Sequence, residues 1–387
     1  MKTKIFTPSK RKLAQAVALG IVGLAASHAQ AANYTFSDLG GLNDLANSAA
    51  ARGINNLGQV VGSQGASAVV WNGSAWSALA NPDGTEGSVG YGINDLGQAV
   101  GTSTPTGQDA AVSVRWDNGV PTRLDTLNSY DDSAAINNSG QISGMIWANA
   151  STFHPVTWAA GSTAFTELPT LGGDWGYVFN NHSINGAGEV VGSTQLPGGE
   201  ALHGTAWLGG VAYDLGTLGG TNSEANSINT IGQIVGDANN ADDNPRPVLW
   251  NDASSAPIDL GTLGGSSGMA TAVNDNGLIA GWSDTADGTS HMTLWDHGQV
   301  IDLTQFIPPE LIAAGWHSLQ GGGNNSILSS DWLDMNNAGA IVSNLYDNSN
   351  HSIPILLTPA PVPVPGAVWL FGSALAGFMG MKRRKQG

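Results

Sequence analysis

Apolar positions along this chain come in short runs, and one run pattern keeps returning. An apolar residue, Asn-x-x-Gly, one further position, two mostly apolar positions and a small one make up the unit. It reads INNLGQVVG at Ile54, INDLGQAVG at Ile93, INNSGQISG at Ile136, INGAGEVVG at Ile184, INTIGQIVG at Ile228, VNDNGLIAG at Val273 and MNNAGAIVS at Met335. Successive copies start 39, 43, 48, 44, 45 and 62 residues apart, a period that marks repeated supersecondary units. After each turn comes a run ending in tryptophan, at Trp71, Trp116, Trp158, Trp207, Trp250 and Trp295, with IPILL in the seventh place. A short turn and a run ending in Asp-Leu or a relative then follow. Short apolar runs bounded by Gly, Asn and Asp predict strands, four to a unit. In the turn, the Asn side chain suits a bond to backbone two residues on, and the Gly suits a positive φ.

One four-stranded sheet cannot bury both faces, whereas sheets set around an axis bury them on one another. The ends of the repeat array point the same way. YTFSDLG (Tyr34 to Gly40) precedes the first turn without a tryptophan run ahead of it, and IPILL lacks an Asp-Leu run behind it. The first fragment is what the last unit lacks, and joining the two avoids bare edges. The predicted fold is therefore all-β: a seven-bladed β-propeller of four-stranded antiparallel blades, its ring closed by the N-terminal strand. The 62-residue spacing contains an insert, Asp302 to Asn325, in which Pro308 and Pro309 open a short predicted helix over Glu310 to Ala314. It reads as a surface excursion, with a lid or binding loop as the other reading.

Composition agrees with strands and tight turns, with 54 Gly and 13 Trp in 387 residues. Charge changes the picture more. Of 13 basic residues, five lie in the first twelve positions and four at Lys382, Arg383, Arg384 and Lys385, leaving only Arg52, Arg115, Arg123 and Arg246 against all 30 acids. The body's net −26 repels nucleic acid and anionic membranes and attracts cations. Cysteine is absent, which excludes disulfides, thiolate metal sites and a cysteine nucleophile.

The ends read as addresses. A basic stretch to Lys12, an apolar segment Leu13 to Ala26, and small residues at Ala29 and Ala31 fit a signal peptide cut after Ala31. At the other end, Gly366 to Met381 is a 16-residue apolar run, roughly 24 Å as a helix, followed by Lys382, Arg383, Arg384 and Lys385, which the positive-inside rule keeps cytoplasmic. With Pro363, Val364 and Pro365 ahead of it, this end resembles the PEP-CTERM sorting signal of Gram-negative bacteria that make exopolysaccharide. The usual glutamate of the motif is Val364 here. The resemblance implies a separate C-terminal hydrophobic helix, recognised and removed by an exosortase. The domains so read are 1–31 signal peptide, 32–358 repeat body and 359–387 sorting signal.

The body resembles the HAF repeat of bacterial extracellular proteins, built on D-L-G-T-L-G-G, I-N-x-x-G-Q-I-V-G and H-A-F-L-W. Residues 214 to 250 and 259 to 295 match best, and the likeness runs from Asp38 to Leu357. The His of the triplet survives at His154, His203, His291 and His351. The family implies no activity.

Candidate chemistry is sparse. Gly264-Gly265-Ser266-Ser267-Gly268 has the form G-x-S-x-G but sits in a repeat loop without the strand-to-helix context of a nucleophile elbow. His154, His203 and His291, with Arg246 in the same place, stand four residues before the marker tryptophans and are read as bonding neighbouring backbone; no H-E-x-x-H pair exists. The marker tryptophans are read as core. Trp76, Trp147, Trp175, Trp282, Trp316 and Trp332 fall outside that position, and Trp175, Trp282 and Trp316 are the candidates for stacking on sugar. Asp237, Asp242, Asp243, Asp284 and Asp287 place oxygen donors close together as weak Ca²⁺ candidates, outside any D-x-[DN]-x-[DN]-G loop.

Taken together, these features predict an exported structural or adhesive protein of the cell surface or exopolysaccharide matrix, with signal peptidase, exosortase and extracellular polysaccharide as partners, no nucleic acid, no cofactor beyond Ca²⁺, and no catalytic residues assigned. The alternatives are a lectin-like propeller and a polysaccharide hydrolase or lyase; paired acids converging on the centre would favour the last.

Overall fold

The computed structural model describes residues 33–40, 49–82, 84–107, 111–126, 132–149, 152–318, 333–349 and 351–360. Their strands form seven separate four-stranded antiparallel sheets. Six of these blades follow chain order, with strands lying within 49–78, 85–123, 132–167, 176–214, 219–259 and 264–302. The seventh sheet contains Asp334–Met335, Ile341–Tyr346 and Ser352–Pro359, and Tyr34–Asp38 pairs with Ser352–Pro359 in the register Tyr34 to Pro359 through Asp38 to Ile355. Apart from the two-residue first strand of blade four, first strands of neighbouring blades pack on one another around the centre.

The residue pair after each turn, Val60-Val61 in the first copy, shows how the core is made. Successive strand residues face opposite sides of a sheet. Val60 packs with Ala340 and Val342 of blade seven, while Val61 packs with Ile93, Val114 and Trp116 of blade two. Each blade thus feeds two seams, and full burial of one such valine contributes about 1.5–3 kcal/mol. The glycine that follows is required by close approach. The first strand bulges between Ala51 and Gly53 in blade one and between Ala225 and Ser227 in blade five. A Cβ on Gly62 would stand 1.8 Å from the Ala50 carbonyl oxygen, and one on Gly236 would stand 1.9 Å from that of Glu224.

In the Asn-x-x-Gly turn, Asn55 Oδ1 accepts from the N–H of Leu57 at 3.1 Å and of Gln59 at 2.9 Å, and Gly58 has φ 78°. The sequence pattern predicts that much. Its second half is an inter-blade bond. Asn55 Nδ2 donates to the Asn94 carbonyl at 2.9 Å, Asn94 to Asn137 at 2.9 Å, Asn137 to Asn185 at 2.9 Å, Asn185 to Asn229 at 3.1 Å, Asn229 to Asn274 at 3.1 Å, Asn274 to Asn336 at 3.2 Å, and Asn336 back to Asn55 at 3.1 Å. All seven asparagines are buried. The repeated turn is therefore a clasp, and the seven clasps close on themselves.

The tryptophan marker is a second clasp. Nε1 of Trp116, Trp207, Trp250 and Trp295 donates to the carbonyls of Ala80, Pro169, Leu215 and Gly261, each in the outer loop of the preceding blade. In blade one the bond comes from Trp76, whose Nε1 reaches the Leu39 carbonyl at 2.8 Å, with Trp71 packed against it at 5.7 Å. Trp76, although outside the marker position, is thus occupied structurally.

The recurrent histidines also differ from expectation. They meet carboxylates of the outermost strand, not backbone: His203 Nδ1 lies 2.8 Å from Asp214, His291 Nδ1 2.8 Å from Asp302 and His154 Nδ1 3.1 Å from Glu167, with Arg246 Nε 3.0 Å from Asp259. The His and the Asp-Leu markers are two ends of one cross-strand pair. The insert after blade six packs down through Leu303, Ile307 and Trp316, all buried, and its helix spans Pro309–Ala313. Phe306 of the insert meets Tyr34 at 5.6 Å between ring centroids.

Candidate functional site

Blade four breaks the pattern of the central strands. Tyr177 faces Ser193 and Ile184 faces Val190, so seven steps along the first strand answer three along the second. In blade five, Glu224 to Ile228 takes four steps against three. The three extra residues are Asn180, Asn181 and His182. Asn180 Nδ2 donates to Asn226 Oδ1 of blade five at 2.7 Å, Asn181 Nδ2 to the Arg52 carbonyl of blade one at 2.5 Å, and His182 Nδ1 lies 3.1 Å from Asp334 Oδ1 of blade seven. Blades four and one are three places apart around the ring, so this segment crosses the bore.

Its electrostatics focus on one mouth. Burial raises the Asp334 carboxyl, against which His182 and the N–H groups of Ile54 and Met335 pull downward. Burial would also raise Asp95 and Asp275, but hydrogen bonds outweigh it: the Asn56 and Asn138 side chains at Asp95, and the Thr230 backbone and side chain with Asn337 at Asp275. His182 adds to both, and both carboxyls are held below the usual range. On the bore wall, Arg52 stacks over Tyr91 at 5.1 Å; burial lowers its pKa, with Tyr91, Tyr346 and Asp132 opposing.

Toward the opposite mouth an acid pair faces an aromatic file. Glu224 on Gly219–Ile228 stands directly across from Asp237 on Ile234–Asn240. Like charges at such positions oppose pairing. Burial raises both carboxyls, Asp237 strongly and with Glu224 adding to it, and burial with Glu224 beside it drives the Tyr177 hydroxyl well up. Tyr177, Ser193 and Asp237 are buried, and Tyr177 Oη, Ser193 Oγ and Asp237 Oδ1 make no hydrogen bond of ordinary geometry, although the Tyr177 hydroxyl lies close enough to Glu224 and Ser193 for both to bear on it. Glu224 is only partly buried. From Tyr177 the rings run outward: Trp175 stacks at 5.9 Å and 26°, Phe153 follows at 6.4 Å from Trp175, and Trp147 meets Phe153 edge-on at 4.3 Å. Phe179 lies on the inner side at 4.9 Å from Tyr177.

The candidates named from sequence scatter over this frame. Trp175 belongs to the aromatic file and is half-buried. Trp282 lies on the second strand of blade six, opposite Met269 and Met292, far from that file in sequence and blade. Trp316 is 8% exposed and presents no open ring face. Asp237 joins the acid pair, away from its loop neighbours. Asp243 accepts from the Thr221 N–H and Asn239, Asp284 from Ser290, and Asp287 from Thr285 and Thr289, so these carboxylates cap local turns. Asp242 donates its backbone N–H to Asn240 Oδ1 in the same hairpin. Among the described residues no group of three or more His, Asp or Glu is arranged to hold a metal ion. Ser266 and Ser267 lie within the strand Gly264–Val273. Ala29, Ala31, Pro363, Val364, Pro365, the 366–381 run and Lys382, Arg383, Arg384 and Lys385 fall outside the described residues; among those described, no helix is long and apolar enough to cross a membrane.

Two features escape sequence reasoning. The crossing segment had a trace in the 48-residue spacing before Ile184, the longest apart from that of the insert. Glu224 had none, since nothing in NSEANSI distinguishes it from a solvated acid.

No protein-family model matches the sequence, and no curated protein matches it. Solved structures do. The extracellular domain of BT4673 from B. thetaiotaomicron, described as a one-component system, superposes with a TM-score of 0.50 at 10% identity, over 87% of this chain and 41% of that one. Puromycin hydrolase gives 0.44 at 10% identity over 84% and 52%, and an arginine-to-alanine triple mutant of AofleA from Arthrobotrys oligospora gives 0.36 at 11% over 70% and 90%. The chain spans about two fifths of the length of the first of these. At such identities the likeness is one of fold, and the fold is an all-β seven-bladed propeller of four-stranded antiparallel blades.

Proposed function

We propose that this chain is an exported, exosortase-sorted propeller placed at the cell surface or in the exopolysaccharide matrix of a Gram-negative bacterium, where it acts as a structural or adhesive component. The observation that carries this reading is where the repeated residues go. The Asn of every unit serves the turn clasp, and the recurring Gly, Trp, His and Asp serve the bulge, the seam bond and the cross-strand pair in the units where these are made, so the repeated positions are taken up by structure. A ring of this kind, flanked by two address segments, suits delivery and display. The extracellular origin of the BT4673 domain agrees with an extracellular setting.

In this reading residues 1–31 are removed by signal peptidase, 32–358 form the body and 359–387 are the sorting signal. Tyr34–Asp38, freed at its start by that first cut, acts as the closing strand of the seventh blade. A second reading, binding of carbohydrate at the mouth bearing Trp147, Phe153 and Trp175, is favoured by that aromatic file, because ring faces stack on the apolar faces of sugars. The acid pair is the feature that would suit a hydrolase or lyase, but it lies within a seam with Asp237 buried, which favours holding a ligand over turning one over.

The intact mass of the mature protein from its native host tests the proposal. A chain starting at Ala32 and ending near Pro363 to Pro365 is expected; a chain that retains 366–387 contradicts sorting.

A further inference from the structure

The seven asparagine clasps are all made, though Trp158 Nε1 has no partner in its seam; among the described residues, buried polar atoms without hydrogen-bond partners also gather between blades four and five. Tyr177 Oη, Ser193 Oγ and Asp237 Oδ1 belong to blades four and five and surround the partly exposed Glu224 carboxyl. Buried polar groups are costly when left unpaired, and two acids placed directly across a strand pair add repulsion. Such an arrangement persists where a ligand completes it.

The chemistry of that ligand follows from what lines the path. Both acids offer oxygen acceptors, the serine and tyrosine hydroxyls can accept or donate, and the file Tyr177, Trp175, Phe153 and Trp147 adjoins them, with Trp175, Phe153 and Trp147 partly exposed. Ring faces suit both the apolar side of a pyranose and a cation. Asn180, Asn181 and His182, next along the chain from Phe179, cross the bore. The body's −26 charge favours a cationic arrival.

We infer that Glu224, Asp237, Tyr177 and Ser193 form a binding site for the ammonium group of an amino sugar, with Trp175 and its neighbouring rings holding the sugar residues of a partly or fully de-N-acetylated polysaccharide. An ammonium supplies the positive charge that lets both carboxylates be ionised together, and its three N–H donors match the orphaned acceptors. This inference deepens the polymer-binding reading and rests on it; the mature mass of the protein is unaffected by whether it holds.

The test is binding of a β-linked glucosamine tetramer with free amines to the purified full-length chain, followed by calorimetry and tryptophan fluorescence, beside its fully N-acetylated counterpart. Free-amine tetramer is expected to bind at least tenfold more tightly. Glu224→Gln and Asp237→Asn are each expected to weaken it at least tenfold, and Trp175→Ala to weaken both tetramers, while Trp282→Ala leaves binding as in the parent. Neutralising a crowded acid does not threaten the fold, so loss of binding with an unchanged or raised melting temperature is readable. Equal affinity for the two tetramers, full affinity in Glu224→Gln, or no binding of either tetramer would overturn the inference.

Discussion

His182 Nδ1 sits 3.1 Å from Asp334 Oδ1, linking the three-residue insertion of blade four to the first strand of blade seven across the bore. The Asp334 side chain is 4% exposed, and its carboxyl is already pushed up by burial.

Removing the imidazole should therefore destabilise the ring in a pH-dependent way. His182→Ala leaves the carboxylate buried with only the N–H groups of Ile54 and Met335, and its pKa rises further. An acid whose folded pKa lies above its unfolded value costs stability above the folded value and costs nothing once protonated. Urea unfolding should show a loss of about 1–3 kcal/mol at pH 7 that shrinks toward pH 4. A loss independent of pH would mean that His182 acts by packing alone.

The acid pair predicts the opposite sign. Glu224 and Asp237 are both raised by burial, so the fold is penalised as pH climbs through their folded pKa values. Glu224→Gln or Asp237→Asn should stabilise by about 1 kcal/mol, seen as a melting-temperature rise of roughly 2 °C at pH 7, with no gain at pH 4. Destabilisation at pH 7 by either change would show the charges to be held by partners.

For the seam between Leu39 and blade one, Trp76→Phe removes the Nε1 bond to the Leu39 carbonyl and should cost about 1 kcal/mol beyond any packing loss. Trp71→Phe removes no such bond from Trp76 and should cost less. Thermal melts of the two variants decide the order, and the reverse order would return the marker role to Trp71.

Asp214 is held below the usual carboxylate range, first by the hydrogen bond from His203 and also by the Gly216 N–H. Its contribution is present above the unfolded pKa and is lost as pH falls through the folded one. With the carboxylate 42% exposed, solvent screening keeps the pair within about 1 kcal/mol. His203→Asn should lower stability slightly at pH 6 and not at pH 2.5; a chemical-shift titration of Asp214 that is unchanged by the substitution would sink this.

The architecture was legible because the repeat writes one unit seven times. Asn-x-x-Gly, the apolar pair with its small residue after it, and the tryptophan runs each carry a local geometry that survives translation into a blade. What the pattern did not carry is any bond that joins one copy to the next. Asn55 reads as a turn former, and only the ring brings its Nδ2 to Asn94. His203 and Asp214 are eleven residues apart and meet through a hairpin register that the sequence states only indirectly. Departures from the repeat were harder still, because Glu224 or Asn181 alone carries no period. These departures, and not the motif, build the bridge across the bore and the acid pair.

The central claim is that the seven turns clasp one another in an unbroken circle, and the Asn336 to Asn55 bond, spanning 281 residues, is its most exposed consequence. The direct measurement is urea unfolding of Asn336→Ala beside Asn137→Ala, which breaks the same clasp between blades three and four. A closed ring predicts equal losses of about 2–4 kcal/mol, since each change removes the inter-blade bond and the turn's own acceptor. A loss for Asn336→Ala no larger than that of the turn acceptor alone, with the full loss at Asn137, would mean that the circle is open at that seam.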